Sequence, residues 1–204
     1  MRLPCLLQLR VLKLALKSLF SRPFTTQFPA RPYEPIREFR GAPRYSEEDC
    51  IGCGACAEVC PATCIDLVDD TDGSPPVRRL VHHLDACILC GQCVRYCTTE
   101  KGIEHSTEFE HVGFAPEDFD DKVEKELLLC EACGCIIAPV AQLRWIARRL
   151  GPLVYTNPTL MLVSHGELRV VDDGVRPELD EEAQRFQRVS IQCPKCRRKS
   201  VLAV

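Results

Sequence analysis

The sequence predicts an α+β fold organised around metal, and three observations predict it. A run of four cysteines at spacings of three, three and four, CIGCGACAEVC at 50–60, recurs 37 residues later as CILCGQCVRYC. Between the two runs, apolar alternation interrupted by a turn reads as a pair of strands. Two further CxxC pairs, CEAC at 130–133 and CPKC at 193–196, belong to a C-terminal extension. The expected organisation is a helix at 1–20, an extended arm at 21–45, a duplicated cysteine-held unit at 46–115 and a small metal-holding subdomain within 116–204.

The cysteine usage limits the function classes. Fifteen cysteines cannot all pair as disulfides, and fourteen of them lie in four groups, at 50–64, 87–97, 130–135 and 193–196. Clusters of CxxC suit metal centres in a reducing compartment better than long-range staples. The net charge of −3 hides an asymmetry: residues 1–44 carry nine Lys/Arg against two acids, whereas 45–204 carry seventeen against twenty-seven. An acidic body argues against nucleic acid as a ligand, because phosphate binding is driven by clustered cations. The longest uncharged run beyond the N-terminus, GPLVYTNPTLMLVSHG at 151–166, is broken by Gly151, Pro152 and Pro158. It is shorter than the roughly 20 residues of a spanning helix, so no integral membrane segment is expected.

Taken in order, residues 3–20 (LPCLLQLRVLKLALKSLF) have helical period. Leu9, Leu12, Leu16, Leu19 and Phe20 share one side, and Arg10, Lys13 and Lys17 recur on another. A helix of this kind lies at a membrane interface or on a partner subunit. A transit peptide is a further reading of the same composition, while charges within the apolar run argue against a secretory signal. Five prolines between Ser21 and Tyr45 rule out a long helix there. The aromatics Phe24, Phe28, Tyr33 and Phe39 suggest an arm laid along a partner. Between the cysteine runs, a short strand, a turn over Asp72–Pro75 and a strand from Val77 to Leu84 are expected. Residues 116–128 are acidic with helical period. A helix over 140–150, a hairpin over 153–171 turning at His165-Gly166, and a short charged helix near 179–188 complete the prediction.

The repeat has a chemical reason. A [4Fe–4S] cluster needs four thiolates, and CxxCxxC supplies three of them from one short loop. In two-cluster ferredoxins the fourth cysteine of each run ligates the other cluster, so neither half completes its own site. On that pattern Cys50, Cys53, Cys56 and Cys97 hold one [4Fe–4S] cluster, and Cys87, Cys90, Cys93 and Cys60 hold the other. Gly52, Gly54, Ala55 and Gly91 are small where backbone must approach a cluster. A pair of zinc sites is disfavoured, because eight cysteines at this spacing do not divide into knuckle pairs. Thr98 stands where the first run has Pro61, and a locally different loop is expected there. Cys64 is expected to be a small buried residue. His82, His83, His105, His111 and His165 read as surface or strand residues. No phosphate loop, nucleotide-binding glycine pattern or nucleophile grouping is present, so no catalytic residue is assigned.

In the extension, Cys130, Cys133, Cys193 and Cys196 are expected to clamp one tetrahedral ion in a rubredoxin- or zinc-ribbon-like subdomain. The ion is zinc, or alternatively a mononuclear iron, since all-thiolate tetrahedral geometry suits both. Cys135 is expected to be a buried spectator, and Arg197-Arg198-Lys199 to be solvated or docked on an acidic neighbour. Cys5 is assigned no role.

The basic amphipathic N-terminus, the arm ending RPYEPIREFRGAPRY, the two CxxCxxCxxxC runs and CIGCGACAEVCPATCI together resemble a known family. It is the two-cluster ferredoxin subunit of respiratory complex I and of the membrane-bound group 4 [NiFe] hydrogenases, over about residues 5–115. The C-terminal pairs are similar to those of the iron–sulfur subunit of formate hydrogenlyase-type complexes, which makes the hydrogenase branch the expectation. A complex I-like quinone oxidoreductase subunit and a free soluble ferredoxin are the alternatives. The resemblance implies a bacterial-type ferredoxin fold and an electron relay bound peripherally at the cytoplasmic face of the cell membrane. Its partners would be an electron donor protein, an adjacent iron–sulfur subunit and a large catalytic subunit. Thr98, the one-residue-longer segment after it and the long stretch between the two C-terminal pairs depart from the family pattern.

Overall fold

The computed structural model describes residues 8–22, 25, 27–36, 38–167 and 190–202. The charged helix expected near 179–188 lies outside them, as does Cys5. The chain divides into two compact units, 1–38 and 39–204.

In the first unit, α1 (Leu9–Phe20) is a twelve-residue helix that buries none of its side chains. The Ser21 N–H closes its last turn on the Lys17 carbonyl at 3.0 Å, and Lys17 sits where the helix dipole favours a cation. The leucines that define its apolar side are exposed, among them Leu9, Leu12, Leu16 and Leu19. Beyond α1, residues 32–36 have no regular secondary structure, which agrees with their prolines.

The second unit contains two antiparallel sheets. In the smaller, β1 (Pro43–Tyr45) pairs with β4 (Ile103–His105), placing Tyr45 opposite Ile103. The larger has the order β2-β3-β5-β6, with β2 at Ile65–Asp70, β3 at Val77–His83, β5 at Asp120–Leu129 and β6 at Ile136–Pro139. The predicted strand–turn–strand is therefore present as β2 and β3. Each cysteine run forms a loop closed by one helical turn, α2 (Ala55–Glu58) and α3 (Gln92–Arg95). Gly54 and Gly91 precede these turns with φ of 80° and 74°, a left-handed conformation that glycine adopts without strain. A Cβ on Gly54 would stand 2.6 Å from Leu67, and one on Gly91 would stand 2.8 Å from His105.

Two expectations are corrected. Residues 116–128 are not a helix: a 3-10 turn at Pro116–Phe119 leads into β5. Val123 and Leu127 are four apart, a spacing that satisfies either period, and the partner strand decides between them. Lys122, Glu124 and Glu126 face solvent while Val123 and Leu127 are buried, and β5 pairs with β3 from Asp120 to Glu126. Arg79 stands opposite Glu124 in that ladder, in contact at 2.6 Å. The hairpin expected over 153–171 is also replaced. A 3-10 helix at Gly151–Thr156 is followed by α5 (Pro158–Glu167). Asn157 caps α5, its Oδ1 accepting the N–H of Thr159 at 3.0 Å and of Leu160 at 3.3 Å, and proline at the first helical position completes a helix start. The helix expected over 140–150 is present as α4 (Val140–Leu150), and α6 (Pro194–Leu202) closes the described chain.

The apolar interior has two parts. One gathers Ile65, Leu80, Ile103 and Val123 around Cys50, Cys56, Cys64 and Cys93. The other packs Leu143 and Ala147 of α4 against Val154 and Leu160.

On the exposed side of the larger sheet, His83 bridges two acids. Its Nδ1 is 2.7 Å from Asp120 Oδ1 and its Nε2 is 3.2 Å from Asp66 Oδ2. The Asp120 hydrogen bond holds the imidazolium above its usual range. A histidine raised on folding stabilises fully below its unfolded value of 6.5, and that contribution fades as pH rises through the raised value. Comparing the melting temperatures of the native chain and His83→Gln should show a gap below pH 6.5 that narrows as pH rises through the raised value. The His83 ring is about a third exposed, so solvent screening keeps the gap small.

Candidate metal centres

The two cysteine runs line two recesses. The first is lined by Cys50, Cys53 and Cys56 from the first run and by Cys97 from the second. The second is lined by Cys87, Cys90 and Cys93 from the second run, by Cys60 from the first and by Cys64 just beyond it. Leu80 and Ile103 complete the wall of the first recess, and Pro43, Ile65 and His82 help to wall the second.

Burial pushes the thiols of Cys50 and Cys56 up, and that of Cys93 up to about 11. Cys60 and Cys97 behave differently. Burial raises both, but converging donors outweigh it and hold them below the ordinary value. For Cys97 these are the Thr99 hydroxyl and the backbone N–H groups of Thr99, Gly102 and Ile103; for Cys60 they are the backbone of Cys64, the Cys64 thiol and the backbone of Ala62 and Thr63. A thiolate is the metal-ligating form, and a bound cation supplies the charge that the buried thiols otherwise lack. Each recess thus gathers four sulfurs of the two runs, with Cys64 a fifth in the second, and backbone N–H groups aimed at sulfur complete the donor set of an iron–sulfur cluster.

Three hydroxyls touch sulfur in the first recess. The Thr98 hydroxyl lies 3.3 Å from Cys53 Sγ, the Tyr45 hydroxyl 3.4 Å from Cys56 Sγ and the Thr99 hydroxyl 3.4 Å from Cys97 Sγ. Thr98 therefore brings a donor to the first run's sulfur where proline could bring none.

The second recess holds what the sequence reading missed. His82 was expected at the surface or in a strand; it lies in β3 and is fully buried. Neither ring nitrogen has a hydrogen-bond partner among the described residues. The Pro43 carbonyl is close enough to favour a ring proton without meeting hydrogen-bond geometry, and burial, the larger influence, holds the imidazole below its usual value. A ring nitrogen of His82, Cys64 Sγ and Cys87 Sγ lie within 4.8 Å of one another. Cys64 is buried as expected, 3.4 Å from Cys60 Sγ. A buried polar group left unpaired costs on the order of 1–3 kcal/mol, so the imidazole nitrogens point to an acceptor that belongs in the recess.

The C-terminal cysteines also converge. Sulfur atoms of Cys130, Cys133, Cys193 and Cys196 all lie within 4.8 Å of one another. The first pair sits in the turn between β5 and β6, and the second opens α6. The Cys193 N–H donates to Cys130 Sγ at 3.2 Å and holds that thiol down at about 6, while the Cys196 N–H donates to Cys193 Sγ at 3.4 Å. Cys196 is pushed up to about 12, chiefly by the Cys133 sulfur. Backbone N–H donors thus lower Cys130 and Cys193 while neighbouring sulfurs raise Cys196, an arrangement a cation would complete. Cys135 is not a buried spectator: it is exposed, and the sulfurs of Cys133 and Cys193 push it up to about 12. Arg197 is not simply solvated either, since it donates to Thr159 Oγ1 at 3.2 Å and to the Ser190 carbonyl at 3.1 Å.

Fold and recesses define the class. The family described as 4Fe-4S dicluster domain matches residues 49–101, the segment that carries both cysteine runs. The NADH-quinone oxidoreductase subunit I 2 of Geobacter metallireducens is 33% identical over 114 residues, covering 53% of this chain and 86% of that protein. This chain belongs to the NADH-quinone oxidoreductase subunit I family. The formate hydrogenlyase subunit 6 of Escherichia coli is 35% identical over 46 residues, which cover 22% of this chain and 26% of that protein. Among solved structures, a chain of the archaeal membrane-bound sulfane sulfur reductase matches with a TM-score of 0.39 and 25% identity, covering 58% of this chain and 61% of that one.

Proposed function

We propose that this chain is the electron-relay subunit of a complex I-like respiratory assembly. Cys50, Cys53, Cys56 and Cys97 hold one [4Fe–4S] cluster, and Cys87, Cys90, Cys93 and Cys60 hold the other. The observation that carries this reading is the crossing: each recess takes three sulfurs from one run and the fourth from the other. When bound, each cluster accepts and returns one electron. The protein's own part is to hold the thiolates, exclude water with Leu80, Ile103 and Val123, and aim donors at sulfur.

The branch expected from the tail is revised. Likeness to subunit I extends over 86% of that protein, against 26% for the formate hydrogenlyase subunit. The quinone-reducing type of complex is therefore favoured over the hydrogenase. The exposed leucines and cations of α1 suit a peripheral membrane or partner contact, since no helix among the described residues is long and apolar enough to cross a membrane. Proposed partners are an electron donor protein, an adjacent iron–sulfur subunit and a large catalytic subunit at the cytoplasmic face. The C-terminal four-cysteine group holds one structural zinc. A further iron–sulfur centre is the second reading, favoured by the fifth sulfur of Cys135 beside Cys133 and Cys193.

Anaerobic metal and sulfide analysis with low-temperature EPR of the reduced chain tests this. About eight iron and eight sulfide, with two spin-coupled paramagnets, is the expected result. About four iron in the unmodified chain would sink the two-cluster assignment.

A further inference from the structure

The second recess contains a group that the relay reading leaves idle. His82 projects from β3 into the wall shared with Cys60, Cys64 and Cys87, is fully buried, and has no hydrogen-bond partner at either ring nitrogen among the described residues. One of those nitrogens lies within 4.8 Å of Cys87 Sγ. The ring also meets Tyr45 edge-on at 6.4 Å between centroids, which fixes its plane. In either protonation state an imidazole carries at least one N–H, and that donor needs an acceptor when it is buried.

We propose that His82 is a hydrogen-bond donor to the second cluster, its ring N–H pointing at sulfur of the centre held by Cys60, Cys87, Cys90 and Cys93. This rests on the two-cluster reading above. An N–H aimed at cluster sulfur stabilises the added electron and raises the reduction potential, because hydrogen bonds to sulfur are one of the levers that set it. His82 acts through the sulfur and is a positioning and tuning residue. The first recess uses a different chemistry for the same task, the hydroxyls of Tyr45, Thr98 and Thr99. The two centres are thus tuned by separate side chains and can be moved independently.

The test is a reductive titration of the full chain, purified anaerobically and followed by EPR. His82→Leu should keep about eight irons and lower one of the two waves. At the native midpoint the reduced-to-oxidised ratio of that wave should fall about tenfold, which is about 59 mV for one electron. His82→Gln, which keeps a side-chain N–H, should recover part of the shift. Thr98→Val should move the other wave, because the Thr98 hydroxyl touches Cys53 of the first set. Pulsed EPR on protein carrying ¹⁵N-histidine should show a nitrogen coupling that His82→Leu abolishes. The proposal is overturned if His82→Leu retains its iron and moves neither wave, or if His82→Leu and Thr98→Val move the same wave. Should His82→Leu lose iron, the nitrogen coupling in the unmodified chain decides, and its absence overturns the proposal. A native iron content near four would instead fault the two-cluster reading on which it stands.

Discussion

Replacing Cys97 with alanine is expected to halve the iron of the chain, from about eight atoms to about four. The informative step is the second substitution. Adding Cys50→Ala should remove none of the remaining iron, whereas adding Cys87→Ala should remove nearly all of it. The reason is that Cys97 belongs by sequence to the run containing Cys87 but by position to the recess containing Cys50. The approach of the two runs is close: a Cβ on Gly102 would stand 3.1 Å from Cys50 Cα and 3.2 Å from Cys97 Sγ. Cys60 makes the reciprocal crossing into the recess of Cys87, Cys90 and Cys93. If ligation instead ran within each run, Cys97→Ala with Cys50→Ala would strip both centres, and Cys97→Ala with Cys87→Ala would strip only one. Iron per chain, read on the two double variants, separates the two arrangements even where one variant is less stable than the other.

The parts of this molecule that were legible in the sequence are those that chemistry constrains by spacing. A cluster loop must present three sulfurs on one short turn, so CxxCxxC appears with few alternatives, and the glycines at 54 and 91 follow from the left-handed backbone that opens each helical turn. The turn between β2 and β3 was equally plain, because Asp72, Gly73 and Pro75 punctuate it. What was not legible depended on a partner. Strand β5 carries Val123 and Leu127 four apart, a spacing that suits a helix until β3 supplies a ladder for it. Asn157-Pro158 was a helix-start signal overshadowed by the loop signal of nearby glycine and proline.

His82 lies in a strand as expected, but its burial was not anticipated. Adjacent residues of a strand face opposite sides. Once 77–83 is a strand, one member of the His82–His83 pair must therefore point inward, and the buried Leu80 two residues earlier shows which. Thr98 carried a signal of another kind. Read against Pro61 it looked like a loop variant, and only the 3.3 Å approach of its hydroxyl to Cys53 Sγ gives the substitution a chemical sense.

Cys193→Ala is expected to remove the C-terminal metal and loosen the extension while leaving the EPR of the two clusters unchanged. The apolar core of that extension is small, with Leu143, Ala147, Val154 and Leu160 as its buried residues among those described. Such a core is a weak anchor for α6, whose described ties run through Cys193, Cys196 and Arg197. A structural four-thiolate ion contributes apparent binding energy of roughly 10–16 kcal/mol near neutral pH in small folded modules. Its loss should therefore outweigh every other tie in the region. Limited proteolysis should then cut Cys193→Ala within α5 and α6 while sparing β2 and β3. Metal analysis discriminates the occupant: one zinc lost with about eight irons retained supports the structural ion, and iron falling from about twelve to about eight supports a third cluster. Cys135→Ser sharpens the choice. A single tetrahedral ion is closed by Cys130, Cys133, Cys193 and Cys196, so removing the fifth sulfur should leave its stoichiometry intact. An unmodified chain with no zinc and only about eight irons would show that the convergence of these sulfurs binds nothing.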